Sequence, residues 1–308
     1  MPELPDVEAY VAALRDRVAG QPLERVRLGS PFLLRTVEPP LSVLAGRRVA
    51  SVFRMGKRVV LELEGGLFLS LHLMIAGRLH WKEPGARLPG RVGLAALDFP
   101  GGTLTLTEAG SKRRAALHLF ASREALRALD RGGIEPLEAT PAAFREAVRR
   151  ESHTLKRALT DPRLVSGIGG AYADEILHRA RLSPTQLTAN LSDEEVERLR
   201  AAAVEVLTTW TERLRSEAGA AFPEGVTAFR EGMAVHGRHR KPCPDCGTLV
   251  QRIVHADNET DYCPRCQTGG RILSDRSLAR LLRDDWPRTI EEMEALEERR
   301  NPREERKT

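Results

Sequence analysis

The hydrophobic positions of this chain change period along its length. Between Asp6 and Val18, the residues Val7, Val11, Leu14 and Val18 recur at helical spacing behind Pro5 and Asp6, which favour a helix start, so a short helix is predicted at the head of the chain. From about residue 47 the period becomes two. Val59, Leu61 and Leu63 alternate with Arg58, Glu62 and Glu64; after Gly65-Gly66, Leu67, Leu69, Leu71 and Leu73 alternate with Phe68, Ser70 and His72. This predicts a hairpin with one buried face. Leu97 and Phe99, the turn Pro100-Gly101-Gly102, then Leu104 and Leu106 predict a second hairpin. Residues 1–125 are therefore expected to form an antiparallel β domain, a sandwich with a leading helix.

Past residue 122 the pattern turns helical, over Arg123–Leu129, Pro141–Arg150, Leu155–Leu159, Tyr172–Ala180 and Asp193–Ser216. The turn Asp161–Gly170 holds Gly167, Gly169 and Gly170 and feeds the fourth of these, an arrangement suited to binding phosphate through backbone N–H groups. Residues 219–238 show no period and read as a loop. Leu273, Leu278, Leu281 and Leu282 predict an amphipathic helix, and the charged stretch from Ile290 a solvated helix or a disordered end. The whole reads as an α+β multidomain chain: a β-sandwich over 1–125, a helical domain over 126–235, a cysteine module over 236–270 and a charged extension over 271–308.

Composition narrows the class. The 308 residues are 41% hydrophobic and 30% charged, which excludes collagen-like, mucin-like and wholly disordered chains. No run approaches the roughly 18 apolar residues of a membrane span, and MPELPDVEAY has neither the basic nor the apolar region of a leader. A cytoplasmic protein with no membrane partner is expected. Lys and Arg number 48 against 43 Asp and Glu, a net +5 that permits an anionic partner. Residues 271–308 hold ten of each sign, so the excess lies in the first 270. Only six of the 48 basic residues are Lys, which makes a Lys at a reactive position informative, because Lys can release its proton and Arg cannot.

All four cysteines fall in one segment, as Cys243-x2-Cys246 and Cys263-x2-Cys266 with sixteen residues between the pairs. That is the spacing of one structural zinc ion held by four thiolates. The alternative, two disulfides, needs an oxidising compartment, against which the missing leader argues.

Four blocks in order, Pro2-Glu3-Leu4-Pro5-Asp6-Val7-Glu8, Gly56-Lys57-Arg58, Gly167-Ile168-Gly169-Gly170-Ala171-Tyr172 and the four-cysteine finger, resemble the bacterial formamidopyrimidine-DNA glycosylase and endonuclease VIII family of DNA-repair enzymes. The resemblance spans residues 2–266. It implies a β-sandwich, a helix-two-turn-helix domain and a zinc finger whose hairpin reaches into damaged double-stranded DNA, with the protein acting as a monomer. It further implies base-excision repair: removal of an oxidised or ring-opened base and strand cleavage by β/δ-elimination.

The resemblance assigns roles. Pro2, freed of Met1, would supply a secondary amine that attacks the sugar C1′ and holds it as a Schiff base; read alone, Pro2 is a rigid residue before a helix. Glu3 would donate a proton, with Asp6 and Glu8 in support, and Lys57 would contact phosphate and aid elimination. His72, Lys112, Arg113, Arg114 and Lys156 would face DNA, as would the run Arg238-His239-Arg240-Lys241; each is otherwise an ordinary surface residue.

Departures from the family pattern are equally legible. Ile75 stands at the wedge position usually held by methionine. Ser111-Lys112-Arg113-Arg114-Ala115 replaces an Arg-x-Phe-Gly element. Gly170 stands where an asparagine amide binds the DNA backbone, and Asn258 where an arginine clamps phosphate. These leave two further readings open: a DNA-binding homologue with reduced or lost turnover, and a glycosylase for oxidised pyrimidines or for bulky or crosslinked bases.

Overall fold

Helix α1, Leu4–Val18, begins two residues before the hydrophobic spacing requires, because Glu3 is its N-cap and Pro5 lies in its first turn. Val7, Val11, Leu14 and Val18, the predicted apolar stripe, are fully buried. The computed structural model describes residues 1–110, 112–226, 229–255, 258–274 and 286–300. It divides into two compact units, Met1–Leu137 with Ser166–Ile168 and Leu207–Ala228, and Glu138–Val165 with Gly169–Val206 and Phe229–Thr308.

The first unit holds nine strands: β1 Pro22–Leu23, β2 Arg25–Leu28, β3 Arg47–Met55, β4 Arg58–Leu63, β5 Leu67–His72, β6 Gly77–Lys82, β7 Gly93–Phe99, β8 Gly102–Glu108 and β9 Ala116–Phe120. They form a five-stranded sheet in the order β1-β3-β4-β5-β9 and a four-stranded sheet in the order β2-β7-β8-β6, every named pair antiparallel. Leu61, Leu69 and Leu119, aligned across β4, β5 and β9, join Leu79, Leu97, Leu104 and Leu106 of the other sheet and the apolar stripe of α1 in one core. This is the expected sandwich.

The β4–β5 hairpin corrects the expectation of a single buried face. Val60 and Phe68, on the face opposite the leucine row, are themselves buried against Leu126 of α2, Arg123–Arg127, with Phe53 and Phe120 alongside. The covering helix lies more than 50 residues downstream of β5, so no local period announces it.

In the second unit, α3 Pro141–Arg149, α4 Leu155–Thr160 and α5 Gly170–Ala180 match the helical pattern within two residues. Helix α6, Asp193–Ala218, is shared between the units. A β-ribbon of β10 Gln251–His255 and β11 Asn258–Tyr262 leads into α7, Pro264–Thr268. Helix α8, Ile290–Arg300, is the helical alternative expected for the charged stretch, with Glu291 and Glu292 exposed, but it is not solvated all round: Ile290 and Met293 are buried with Ile272 and packed by Trp286, and the Ile272 N–H donates to the Arg288 carbonyl at 2.8 Å. The helix predicted around Leu278, Leu281 and Leu282 falls outside the described residues. Among the described residues no helix is long and apolar enough to cross a membrane.

Candidate active site and cysteine cluster

The head of the chain is built into the sandwich unit. Glu3 N–H donates to Asp6 Oδ2 at 2.9 Å, and the two residues form a reciprocal capping box. Glu3 and Asp6 are 3% and 2% exposed, so two carboxylates lie buried where the α1 dipole favours negative charge. Pro2 is buried as well. The Leu4 N–H donates to the Gly167 carbonyl at 2.9 Å. Gly167 thus braces the chain's beginning, while Gly169 and Gly170 form the N-cap and first position of α5.

Lys57 sits in the two-residue turn between β3 and β4, where Gly56 supplies the positive φ of 57°. Burial lowers the pKa of its ammonium, and the Glu3 carboxylate raises it in part. The terminal amine of the chain lies in the same field. Burial holds it below its ordinary 8.0, Glu3 opposes, and Arg78 and Lys57 add to the lowering. Terminal amine, Glu3, Lys57 and Arg78 are therefore electrostatic neighbours. Arg78 lies on the polar side of β6, where it alternates with Leu79 and Trp81 like any solvent-facing strand residue, so the pattern alone gives it no special mark.

Arg54 ties this corner together. Its guanidinium pairs with Glu8 at 2.9 Å, pairs with Glu135, and donates to the Gly56 carbonyl at 3.0 Å. Ser166 Oγ donates to the same Glu135 at 2.7 Å, and Arg215 pairs with Glu8 at 2.9 Å. One largely covered cation so links α1, the Lys57 turn and the Gly167 turn. Nothing in the local pattern marks Arg54, Glu135 or Ser166, each an ordinary polar residue until the fold brings them together.

The predicted DNA-facing residues divide. His72, at the end of β5, is held near pKa 4 by burial and by the positive charges of Arg58 and Lys57, so it is neutral at physiological pH and offers a hydrogen bond rather than a charge. Ile75 is 57% exposed at the tip of a turn closed by the Gly77 N–H on the Leu73 carbonyl at 2.9 Å. Lys112, Arg113 and Arg114 are exposed, on a segment fixed by the buried Glu108 carboxylate, which accepts from Arg114 N at 3.0 Å and Ala115 N at 3.1 Å. In the second unit, Lys156 pairs with the buried Asp174 and donates to the Gly170 carbonyl at 2.8 Å, so its charge is already matched. Gly170 and Asn258 are exposed, Asn258 opposite His255 in the ribbon.

The four cysteine sulfurs lie within 4.8 Å of one another. Cys243–Cys266 and Cys246–Cys263 are 3.9 and 3.4 Å apart. A tetrahedral zinc with Zn–S bonds of about 2.3 Å separates its sulfurs by about 3.8 Å, so the residues fit that ion. The knuckle is anchored: Gln267 accepts from Cys263 N at 2.8 Å and donates to the Leu182 carbonyl at 3.0 Å, and His178 Nε2 lies 3.3 Å from Cys243 Sγ.

A sandwich with a buried, helix-capping N-terminus, a helical segment and a cysteine ribbon, in that order, define the architecture of zinc-finger DNA-repair glycosylases. Family models match in the same order: the formamidopyrimidine-DNA glycosylase N-terminal domain over residues 1–115, the H2TH domain over 133–218, and the zinc finger found in FPG and IleRS over 240–269. The chain is 38% identical to the formamidopyrimidine-DNA glycosylase of Thermus thermophilus over 282 residues, covering 88% of this chain and all of that one. It is 33% identical to the enzyme of that name from Heliobacterium modesticaldum, covering 87% of this chain and all of that one. The crystal structure of MutM (Fpg) from Thermus thermophilus superposes with a TM-score of 0.73 at 36% identity, covering 86% of this chain and 98% of that one. The wild-type Lactococcus lactis Fpg, in complex with DNA containing an oxidized pyrimidine, gives 0.77 at 25% identity, covering 87% of this chain and all of that one. The chain belongs to the formamidopyrimidine-DNA glycosylase family of DNA-repair enzymes.

Proposed function

We propose that this chain is a bifunctional DNA glycosylase and abasic-site lyase that uses the Pro2 nitrogen as its nucleophile. The observation that carries the reading is the burial of the chain's first residues beside Glu3 and Lys57. With Met1 attached, the Pro2 nitrogen is a tertiary amide with no free lone pair. Burial lowers the pKa of the Met1 amine against the opposing Glu3 carboxylate. Removing Met1 would leave the Pro2 secondary amine in that same buried place, where the ammonium form is likewise disfavoured and the free amine can act as nucleophile.

The amine attacks C1′ of an everted nucleotide; the C1′–N bond to the damaged base breaks, and the base leaves with a proton. Glu3, at the helix N-cap, takes the proton that the attacking amine gives up and delivers it to the sugar ring oxygen as the iminium forms. The iminium acidifies the C2′ proton, whose loss expels the 3′ phosphate. Lys57 stabilises the departing phosphate, and a second elimination releases the 5′ phosphate. In this reading Ile75 is the apolar wedge that fills the space of the flipped base, Lys112, Arg113 and Arg114 contact backbone phosphates, and His72 donates a neutral hydrogen bond. The Gly170 N–H and Asn258 contribute uncharged contacts. Cys243, Cys246, Cys263 and Cys266 would hold a zinc ion, whose contribution would be structural, to the fold of the ribbon. The partner is damaged double-stranded DNA, bound by a single copy of the chain, and the domain divisions at residues 125, 235 and 270 belong to the same proposal.

A second reading is favoured by Lys156, whose charge is neutralised by Asp174. Together with Gly170 and Asn258 it leaves the second unit fewer cationic contacts, which suits a lesion-binding homologue with reduced turnover. Borohydride trapping on duplexes bearing an abasic site, a ring-opened purine, an oxidised pyrimidine and a bulky adduct separates the readings: covalent adducts on one or more lesions support the enzyme and rank its substrates, and binding without adducts supports the second reading.

A further inference from the structure

We infer that His178 is a fifth member of the zinc site, a positioning residue that donates its imidazole N–H to the Cys243 thiolate. This rests on the reading of the four cysteines as a zinc site. Nε2 lies 3.3 Å from Cys243 Sγ and 4.0 Å from Asp245 Oδ2, the carboxylate being beyond hydrogen-bond reach, and His178 and Cys243 are 4% and 2% exposed, so the sulfur is the acceptor at hydrogen-bond distance. A metal-bound thiolate carries no proton and can only accept, which fixes the proton of this ring on Nε2.

Charge explains why a donor is needed. Four thiolates around one divalent cation leave two negative charges in a partly buried knuckle, and hydrogen bonds to sulfur spread them. Cys263 has such a donor in the Cys266 N–H, 3.5 Å from its sulfur. For Cys243, buried on the side facing α5, the donor comes from a helix more than 60 residues earlier in the chain. An apolar side chain of equal size would fill the same space and leave the sulfur bare.

Helix α5 and the residues just after it grip the cysteine module and the segment leading into it at other points. Glu175 accepts from the backbone N–H groups of Ala234, Val235 and His236 at 2.7 to 2.9 Å, and the Leu182 carbonyl accepts from Gln267. His178 stands between these anchors. It joins the metal shell itself, rather than the surrounding backbone, to the helical domain.

The test uses the full chain. Metal analysis comes first: less than one zinc per chain removes the zinc reading itself, independently of His178. In protein loaded with cadmium-113, the His178 Hε2 proton is expected to show scalar coupling to the metal through the hydrogen bond to Cys243. Absence of that coupling with the metal bound overturns the inference. His178→Phe is expected to release zinc to a chelator roughly 10-fold faster or more, and to move the thiolate-to-metal charge-transfer band of the cobalt form to lower energy. His178→Gln, which keeps an N–H donor, is expected to restore both. Equal behaviour of all three proteins, glutamine failing as phenylalanine does, or a cobalt spectrum with imidazole as a direct ligand contradicts the role. The cadmium measurement needs no substitution, so it stands even where a variant fails to fold.

Discussion

The Leu4 N–H meets the Gly167 carbonyl at 2.9 Å, and Gly167 has a φ of +79° with little room for a side chain. A Cβ there would lie 3.0 Å from Leu4 Cβ and 3.3 Å from Arg54 Nη1. Gly167→Ala therefore combines left-handed strain with crowding against the first helix. It is expected to cost about 1–3 kcal/mol in chemical denaturation and to lower the rate of adduct formation, because the displaced element carries Pro2 and Glu3. Unchanged stability and rate would show that the brace is not needed.

Arg54→Met removes the cation shared by Glu8 and Glu135 and leaves both carboxylates without it. A fully buried pair broken on one side costs about 3–5 kcal/mol; the Glu135 side chain is 34% exposed here, so a loss of about 1–3 kcal/mol is expected. The KM for lesion DNA should move less than kcat, since Arg54 acts through the Lys57 turn. Steady-state kinetics beside urea melts separate the two effects.

Glu3→Gln keeps the shape of the helix cap and removes the carboxyl group that can take up and hand on a proton. Single-turnover base release is expected to slow by roughly 10²–10⁴-fold, with the dissociation constant for lesion DNA within a few-fold of the parent. A variant excising at the parental rate would take Glu3 out of proton transfer.

His72 sets a pH dependence of stability. Its folded pKa is about 4 against an ordinary 6.5, so the unfolded chain takes up this proton first as pH falls. Its contribution is complete above pH 6.5 and is lost as pH drops toward about 4. Urea midpoints at pH 7.5 and pH 5 should differ less in His72→Gln than in the parent; an equal difference would assign the acid sensitivity to other groups.

Local pattern carried the sandwich, the helices and the cysteine knuckle into view, because each rests on a period or a spacing within one stretch of chain. The long-range parts were not legible. The second buried face of β4 and β5 depends on α2, and Arg54 gains its meaning from Glu8 and Glu135, which lie 46 and 81 residues away. The glycine turn shows both sides: its glycines suggest phosphate, yet Gly167 is required by Leu4, a contact that spacing cannot reveal. Lys156 reads as a free cation in sequence and meets its counter-ion only in the fold.

The central claim is that a secondary amine at the start of the mature chain carries the chemistry. Borohydride-reduced adducts with abasic duplex, digested and sequenced by mass spectrometry, give the direct test. The expected adducts are chains lacking Met1, with the sugar remnant on the Pro2 nitrogen. A chain still beginning with Met1, or a remnant on Lys57 with Pro2 unmodified, would contradict it.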